Sequence, residues 1–254
     1  MAVVIGLKDV SARLDRHPVL QDVSLSVAPG ELVALVGPNG AGKTSVLKAM
    51  LGLLPPSAGT VAIGGRPLAE LDPRARAEAM AYLPQDRRIA WNMPAVEITA
   101  LGLPFLSGAE ARTRAREALV EVQAGDLAER GVAEMSGGER ARVLIARVLA
   151  TGAKALLLDE PVAGLDPDAQ FLLMDRLRAR ATAGQAVVVS LHDLSMAARY
   201  ADRVVVMAGG RVVADAPPVE ALSAPVLAEV FGLQAEWLST PDGPLLSARR
   251  NAPY

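Results

Sequence analysis

Residues 31–54 read ELVALVGPNGAGKTSVLKAMLGLL, and the backbone period changes in the middle of them. After Glu31 the run LVALV is unbroken apolar, the pattern of a short strand buried on both faces. From Lys43 onward the apolar residues return at helical spacing. Between the two, residues 37–44 (GPNGAGKT) match the phosphate-binding pattern G-x-x-x-x-G-K-[ST] at the strand-to-helix junction where that pattern works. The stretch Gly37, Pro38, Asn39, Gly40, Ala41, Gly42 is expected to curl so that backbone N–H groups face inward. Lys43 adds a point charge for the β- and γ-phosphates. The Thr44 hydroxyl suits Mg²⁺, Ser45 reaches the α-phosphate, and the helix start adds its positive dipole end. A nucleoside triphosphate site follows.

Outward from this stretch, two more buried strands are expected in KALLLDEP (154–161) and QAVVVSLHD (185–193). Such strands alternating with helices give an α/β fold, a mainly parallel sheet covered on both faces. The first thirty residues alternate apolar and polar with period 2, predicting an N-terminal antiparallel β portion. From 85 to 151 strand signals vanish and helical periodicity takes over, as in GERARVLIARVLA (138–150). This predicts an α-helical subdomain inserted into a core made of residues 1–84 and 152–254, the whole forming one domain over 1–254. The run 202–218 reads as a hairpin turning at Gly209 and Gly210, and the tail as a small helix with one strand.

The 254-residue chain is 51% hydrophobic and 21% charged with a formal charge of −2, which argues against a nucleic-acid partner. With no cysteine there are no disulfides, thiolate metal sites or cysteine nucleophile. No leader and no long uninterrupted apolar run is visible, so the chain reads as cytoplasmic.

Asp159 and Glu160 fall at the C-terminal tip of a buried strand, the edge where open α/β sheets bind ligands. Asp159 is suited to hold Mg²⁺ through water, and Glu160 to polarise an attacking water. An isolated acidic pair would read as an ordinary turn; the phosphate loop upstream changes the reading. His192 ends the next buried strand, where a γ-phosphate contact is expected, whereas His17 has no such context. Gln85, after a short β-like run, is a neutral amide able to reach both Mg²⁺ and the water. MSGGER (135–140) places a serine and two glycines at a helix start, either a simple N-cap or a second anion site.

Together GPNGAGKT, YLPQ, MSGGER, LLLDEP, GLD and LHD resemble, in order and rough spacing, the ATP-binding cassette (ABC) ATPases, with a P-loop NTPase core. The resemblance covers nearly the whole chain and implies ATP with Mg²⁺, held by Thr44, Gln85 and Asp159. It implies a head-to-tail homodimer in which Ser136, Gly137, Gly138 and Glu139 contact the ATP held by the partner subunit. Asp166, in GLD, resembles the loop that couples the two sites across the interface. ATP then closes the dimer and hydrolysis opens it.

Two departures from the family pattern stand out. Glu139 occupies a position usually held by glutamine, and hydrolysis is expected to survive it. The adenine-stacking aromatic has no counterpart, because Leu14 aligns there and every aromatic residue lies at Tyr82 or beyond; Leu14, Arg13 and Arg16 are the available substitutes, and weaker base discrimination is expected. A single cassette without membrane spans resembles importer ATPases, which pair with integral membrane permease subunits and, indirectly, a substrate-binding protein, on the cytoplasmic side of the inner membrane. The permease is expected to dock beside Trp91, Met93 and Phe105. The closing segments resemble the iron–siderophore, haem and vitamin B12 branch. Rival readings are an exporter ATPase and a soluble cassette acting on nucleic acid or protein assemblies. A P-loop kinase would leave MSGGER unexplained.

Overall fold

A computed structural model describes residues 4–87, 89, 91–240 and 243–250. Within the expected N-terminal β portion, groove segment and tail, residues 1–3, 88, 90, 241–242 and 251–254 lie outside the described residues. The chain begins with the hairpin β1 (Ile5–Leu14) and β2 (His17–Val27), followed by β3 (Leu32–Val36) and α1 (Lys43–Met50). Next come β4 (Ala58–Ile63), β5 (Arg66–Pro67), α2 (Pro73–Ala79) and β6 (Met80–Leu83). Helices α3 (Ala95–Ala100), α4 (Gly108–Glu121) and α5 (Gly137–Ala150) lead to β7 (Ala155–Asp159). Then follow α6 (Pro167–Thr182), β8 (Ala186–Ser190), α7 (Leu194–Tyr200), β9 (Arg203–Ala208) and β10 (Arg211–Ala216). Two helices, α8 (Pro218–Ala221) and α9 (Ala224–Phe231), precede β11 (Leu233–Thr240) and β12 (Gly243–Arg250).

The central sheet has six strands in the order β10-β9-β3-β8-β7-β6, with β9 through β6 parallel and β10 antiparallel at the edge. Period 2 explains why its strands are apolar throughout: successive side chains serve opposite faces. Leu32, Ala34, Val36, Leu156, Leu158, Val187 and Val189 pack on one face with α3 to α7. Val33, Leu35, Leu157 and Val188 pack on the other with α1 and the N-terminal strands. Each fully buried Val or Leu contributes roughly 1.5–3 kcal/mol, which makes these short strands secure anchors for the loops at their ends.

The N-terminal strands form a second, four-stranded antiparallel sheet, β2-β1-β4-β5. Between β6 and β7 the described residues hold helices and 3₁₀ turns, with one isolated bridge, Pro94 to Gly131. The tail differs from the single strand expected of it. β11 and β12 pair as a two-stranded antiparallel sheet, and Trp237 on β11 donates its indole N–H to the Leu222 carbonyl.

A phosphate cleft at the carboxyl edge of the sheet

Parallel strands bring their C-terminal ends to one edge, and β3, β6, β7 and β8 each deliver a site segment there. A cleft of about 350 Å³ is lined by Val19, Asn39, Gly40, Ala41, Gly42, Lys43, Thr44, Ser45, Gln85 and Glu160. Gly37 and Pro38 form the back of the loop and aim their carbonyls at Lys43, whose Nζ donates to them at 2.7 and 3.2 Å. A Cβ on Gly37 would stand 2.3 Å from the Met207 carbonyl oxygen, so the loop passes too close to β9 for any side chain there. Gly42, at φ +106, caps the start of α1 in the left-handed region. Burial draws the Lys43 ammonium below its ordinary pKa, against the opposing pull of Glu160 and Asp159.

Asp159 is completely buried. Its Oδ1 accepts a 2.6 Å hydrogen bond from Ser190 Oγ, while Oδ2 has no hydrogen-bond partner. A buried carboxylate oxygen without a donor is costly unless a ligand serves it. Hard oxygen donors from Asp159, Thr44 and Gln85, beside a phosphate loop, fit Mg²⁺. Burial and the neighbouring Asp159 push the Tyr82 phenol up to about 12, a mark of how dry and negative this wall is.

Glu160 adopts φ +50, a left-handed backbone unusual for a residue with a side chain. Its N–H donates to Ser190 Oγ at 2.8 Å, and its Oε1 lies 2.6 Å from His192 Nε2. Sheet register puts Asp159 opposite Ser190, so one hydroxyl ties together both acidic residues. Sequence reasoning missed Ser190; a hydroxyl at the last position of an otherwise apolar buried strand was the available signal. Arg87 was missed as well. Its guanidinium donates to the Glu160 and Ala163 carbonyls, joining the segment after Gln85 to the turn after Asp159.

The MSGGER residues do not line the cleft of their own chain. Ser136 caps α5 in a capping box: its Oγ accepts from the Glu139 N–H at 3.2 Å, and Glu139 Oε2 accepts from the Ser136 N–H at 2.7 Å. These bonds hold the Glu139 carboxyl below its usual pKa, and Arg130 and Arg142 reinforce them. The N-cap reading of this motif is therefore correct as local structure, while Ser136 and Gly137 remain exposed to solvent. Gly138 faces the Gly164 carbonyl, which brings the motif beside the GLD loop. Asp166 caps α6 by accepting from the Ala169 N–H at 2.9 Å. Leu14 is 62% exposed and does not line the cleft; the apolar lining from this hairpin is Val19.

The family model described as ABC transporter matches residues 20–163. The chain belongs to the ABC transporter family. It is an ATP-binding ATPase of that family, with the P-loop core and mixed sheets that the cassette fold requires. The hemin import ATP-binding protein HmuV of Myxococcus xanthus is 42% identical over 252 residues, spanning 94% of each chain. HmuV of Streptomyces coelicolor is 41% identical over 258 residues, covering 100% of this chain and 91% of the relative. Among solved structures, the dimeric post-hydrolysis ATP-binding cassette MJ0796, bound to ADP and Pi, has 28% identity and a TM-score of 0.77 over 84% of this chain and 98% of its own. CbiO1 of Clostridium perfringens, part of the ABC transporter complex CbiONQ, has 26% identity and a TM-score of 0.77 over 90% and 94%.

Proposed function

We propose that this chain is the ATP-hydrolysing subunit of a haem importer, acting as a pair of copies beneath a separate permease. The observation that carries the catalytic part is the buried, donorless oxygen of Asp159 behind a cleft into which Glu160 is held. The cargo rests on the near end-to-end similarity to hemin import ATPases.

Residues 37–45 bind the phosphates, with Lys43 supplying charge and Thr44 and Ser45 hydroxyls. Asp159, Thr44 and Gln85 would hold Mg²⁺, which when bound neutralises charge on the phosphate oxygens. Glu160 orients the attacking water and accepts its proton, and His192, bonded to Glu160, fixes the carboxylate and faces the γ-phosphate. Ser136, Gly137, Gly138 and Glu139 serve the nucleotide of the second copy, and Asp166 couples the sites. Because each Ser136 is already ordered as a helix cap, closure spends little on arranging it.

The permease surface is a groove of about 760 Å³ that includes Ile89, Trp91, Asn92, Val132 and Arg140. Trp91 is 74% exposed, which suits a docking anchor. Met93, expected in the same role, is partly buried and packs against the core, and Phe105 lies apart under the Arg74 guanidinium. No helix among the described residues is long and apolar enough to cross a membrane. In this reading the chain attaches to the cytoplasmic face through the permease, which a substrate-binding protein supplies.

Tagged Glu160→Gln, incubated with MgATP in detergent-solubilised native membranes, is expected to bring down an integral membrane permease. Cells lacking the chain are expected to stop growing on haemin as iron source while growing on ferric salts. Recovery of a bare homodimer, with growth on haemin intact, defeats the importer assignment and leaves the ATPase standing. Because Leu14 stands outside the cleft, ATP and GTP are expected to turn over at rates within a few-fold of each other. A strong ATP preference in the same phosphate-release assay would show that another group reads the base.

A further inference from the structure

The turn that follows β7 carries an unusual load. Glu160 sits at φ +50, a conformation that a residue with a Cβ holds only when its surroundings impose it. The Glu160 carbonyl accepts from the Ala163 N–H at 3.1 Å, which closes the turn. The same carbonyl accepts from Arg87 Nη2, and the Ala163 carbonyl accepts from Arg87 Nη1 at 2.8 Å. One planar guanidinium therefore forks onto both ends of the turn, a geometry that a lysine cannot reproduce. Both of these hydrogen bonds go to backbone carbonyls, and the positive charge also acts on the nearby Glu160 carboxylate.

Arg87 also stands two residues after Gln85 and lines the Trp91 groove. Ser190 fixes the N–H side of Glu160 from within the sheet. Arg87 fixes its carbonyl side from the segment that leaves the sheet for the helices. The second attachment is the adjustable one, since it comes from outside the strands.

We infer that Arg87 is a positioning residue for hydrolysis: its guanidinium fork holds the Glu160–Ala163 turn so that the Glu160 carboxylate faces the phosphate cleft. It transmits the position of the groove segment to that carboxylate. The inference rests on the reading of Glu160 as the residue acting on water.

The test is a kinetic cycle with the full chain: Arg87→Met, Glu160→Gln and the double variant. Each is assayed for MgATP turnover, KM and nucleotide affinity. Arg87→Met is expected to lower kcat roughly tenfold, about 1.4 kcal/mol of barrier, with KM and affinity unchanged. In the Glu160→Gln background the same substitution is expected to change the residual rate less than twofold, because its effect passes through Glu160. Free guanidinium at millimolar concentration is expected to restore part of the Arg87→Met rate. A tenfold loss that persists in the Glu160→Gln background, or one accompanied by an equal loss of affinity, overturns the inference. An unchanged kcat overturns it too. If Glu160→Gln itself turns over at the parental rate, the reading of Glu160 fails first; if only Arg87→Met is silent, the inference alone fails. Should Arg87→Met not fold, Arg87→Lys, which keeps the charge but reaches one carbonyl, runs the same cycle with a loss of about threefold, and additivity there is equally fatal.

Discussion

Glu160→Gln is expected to lower steady-state ATP turnover by about 100-fold or more while leaving nucleotide binding within a few-fold of the parent, the scale on which a positioned general base acts. The amide keeps the shape of the side chain. It also keeps the backbone bonds to Ser190 and Arg87, so the left-handed turn survives. What it loses is the capacity to accept a proton and the carboxylate oxygen's contact with His192 Nε2. The phosphate grip comes from residues 37–45, not from Glu160, which is why affinity and rate should separate. Phosphate release measured beside equilibrium binding of a fluorescent ATP analogue checks both halves. A turnover within threefold of the parent would remove Glu160 from the chemistry.

Lys43→Ala acts on the other half of the site. It is expected to weaken ATP binding by about 2–5 kcal/mol, the range for truncating one member of a buried, hydrogen-bonded charge pair. That is on the order of 30-fold to several thousand-fold in Kd. Lys43 is only 6% exposed, and its ammonium bridges the Gly37 and Pro38 carbonyls. Alanine leaves both carbonyls without that donor and the phosphates without their nearest fixed charge. Titration calorimetry with ATP across pH adds a sign check. Because burial lowers the Lys43 pKa, the ammonium is lost at a lower pH than from a free lysine. ATP affinity of the parent should therefore fall on the alkaline side before the ordinary lysine range is reached. The variant should lack that component of the fall.

Much of this was legible in the chain. β3, β7 and β8 announced themselves as short apolar runs because they are buried on two faces; the first two lead into residues that line the cleft, and the third into His192, which contacts Glu160. The phosphate loop was legible because glycine, lysine and threonine must stand at fixed offsets for backbone N–H groups and one charge to meet a phosphate. Ser190 was visible as a lone hydroxyl ending an apolar strand, but its partners were not. Its tie to Asp159 and Glu160 depends on the register of β7 against β8, and no local pattern encodes which residues of two apolar strands lie opposite. Arg87 sits in a segment read for its apolar residues as a permease groove, and its acceptors are backbone carbonyls more than seventy residues away, which carry no side-chain signal. The second strand of the tail was hidden because GPLLSARR lacks clean alternation; it forms by pairing with β11. The MSGGER serine had two readings, and both concern the same hydroxyl at a helix start.

The glycine turn between β9 and β10 lies against the phosphate loop. The Gly210 N–H donates to the Ala41 carbonyl at 3.0 Å, and the Gly210 carbonyl accepts from the Gln21 N–H at 2.8 Å. A Cβ on Gly210 would come 2.7 Å from the Val19 carbonyl oxygen. The loop is thus walled by residues from Val19 to Gly210, although the last of the quoted family motifs, LHD, is finished by Asp193. Such contacts of wide sequence separation form late. On a ribosome, the nascent chain would display all its motifs before it owned a finished nucleotide site. An interrupted chain would therefore carry the phosphate loop without the wall that the β9–β10 turn lends it.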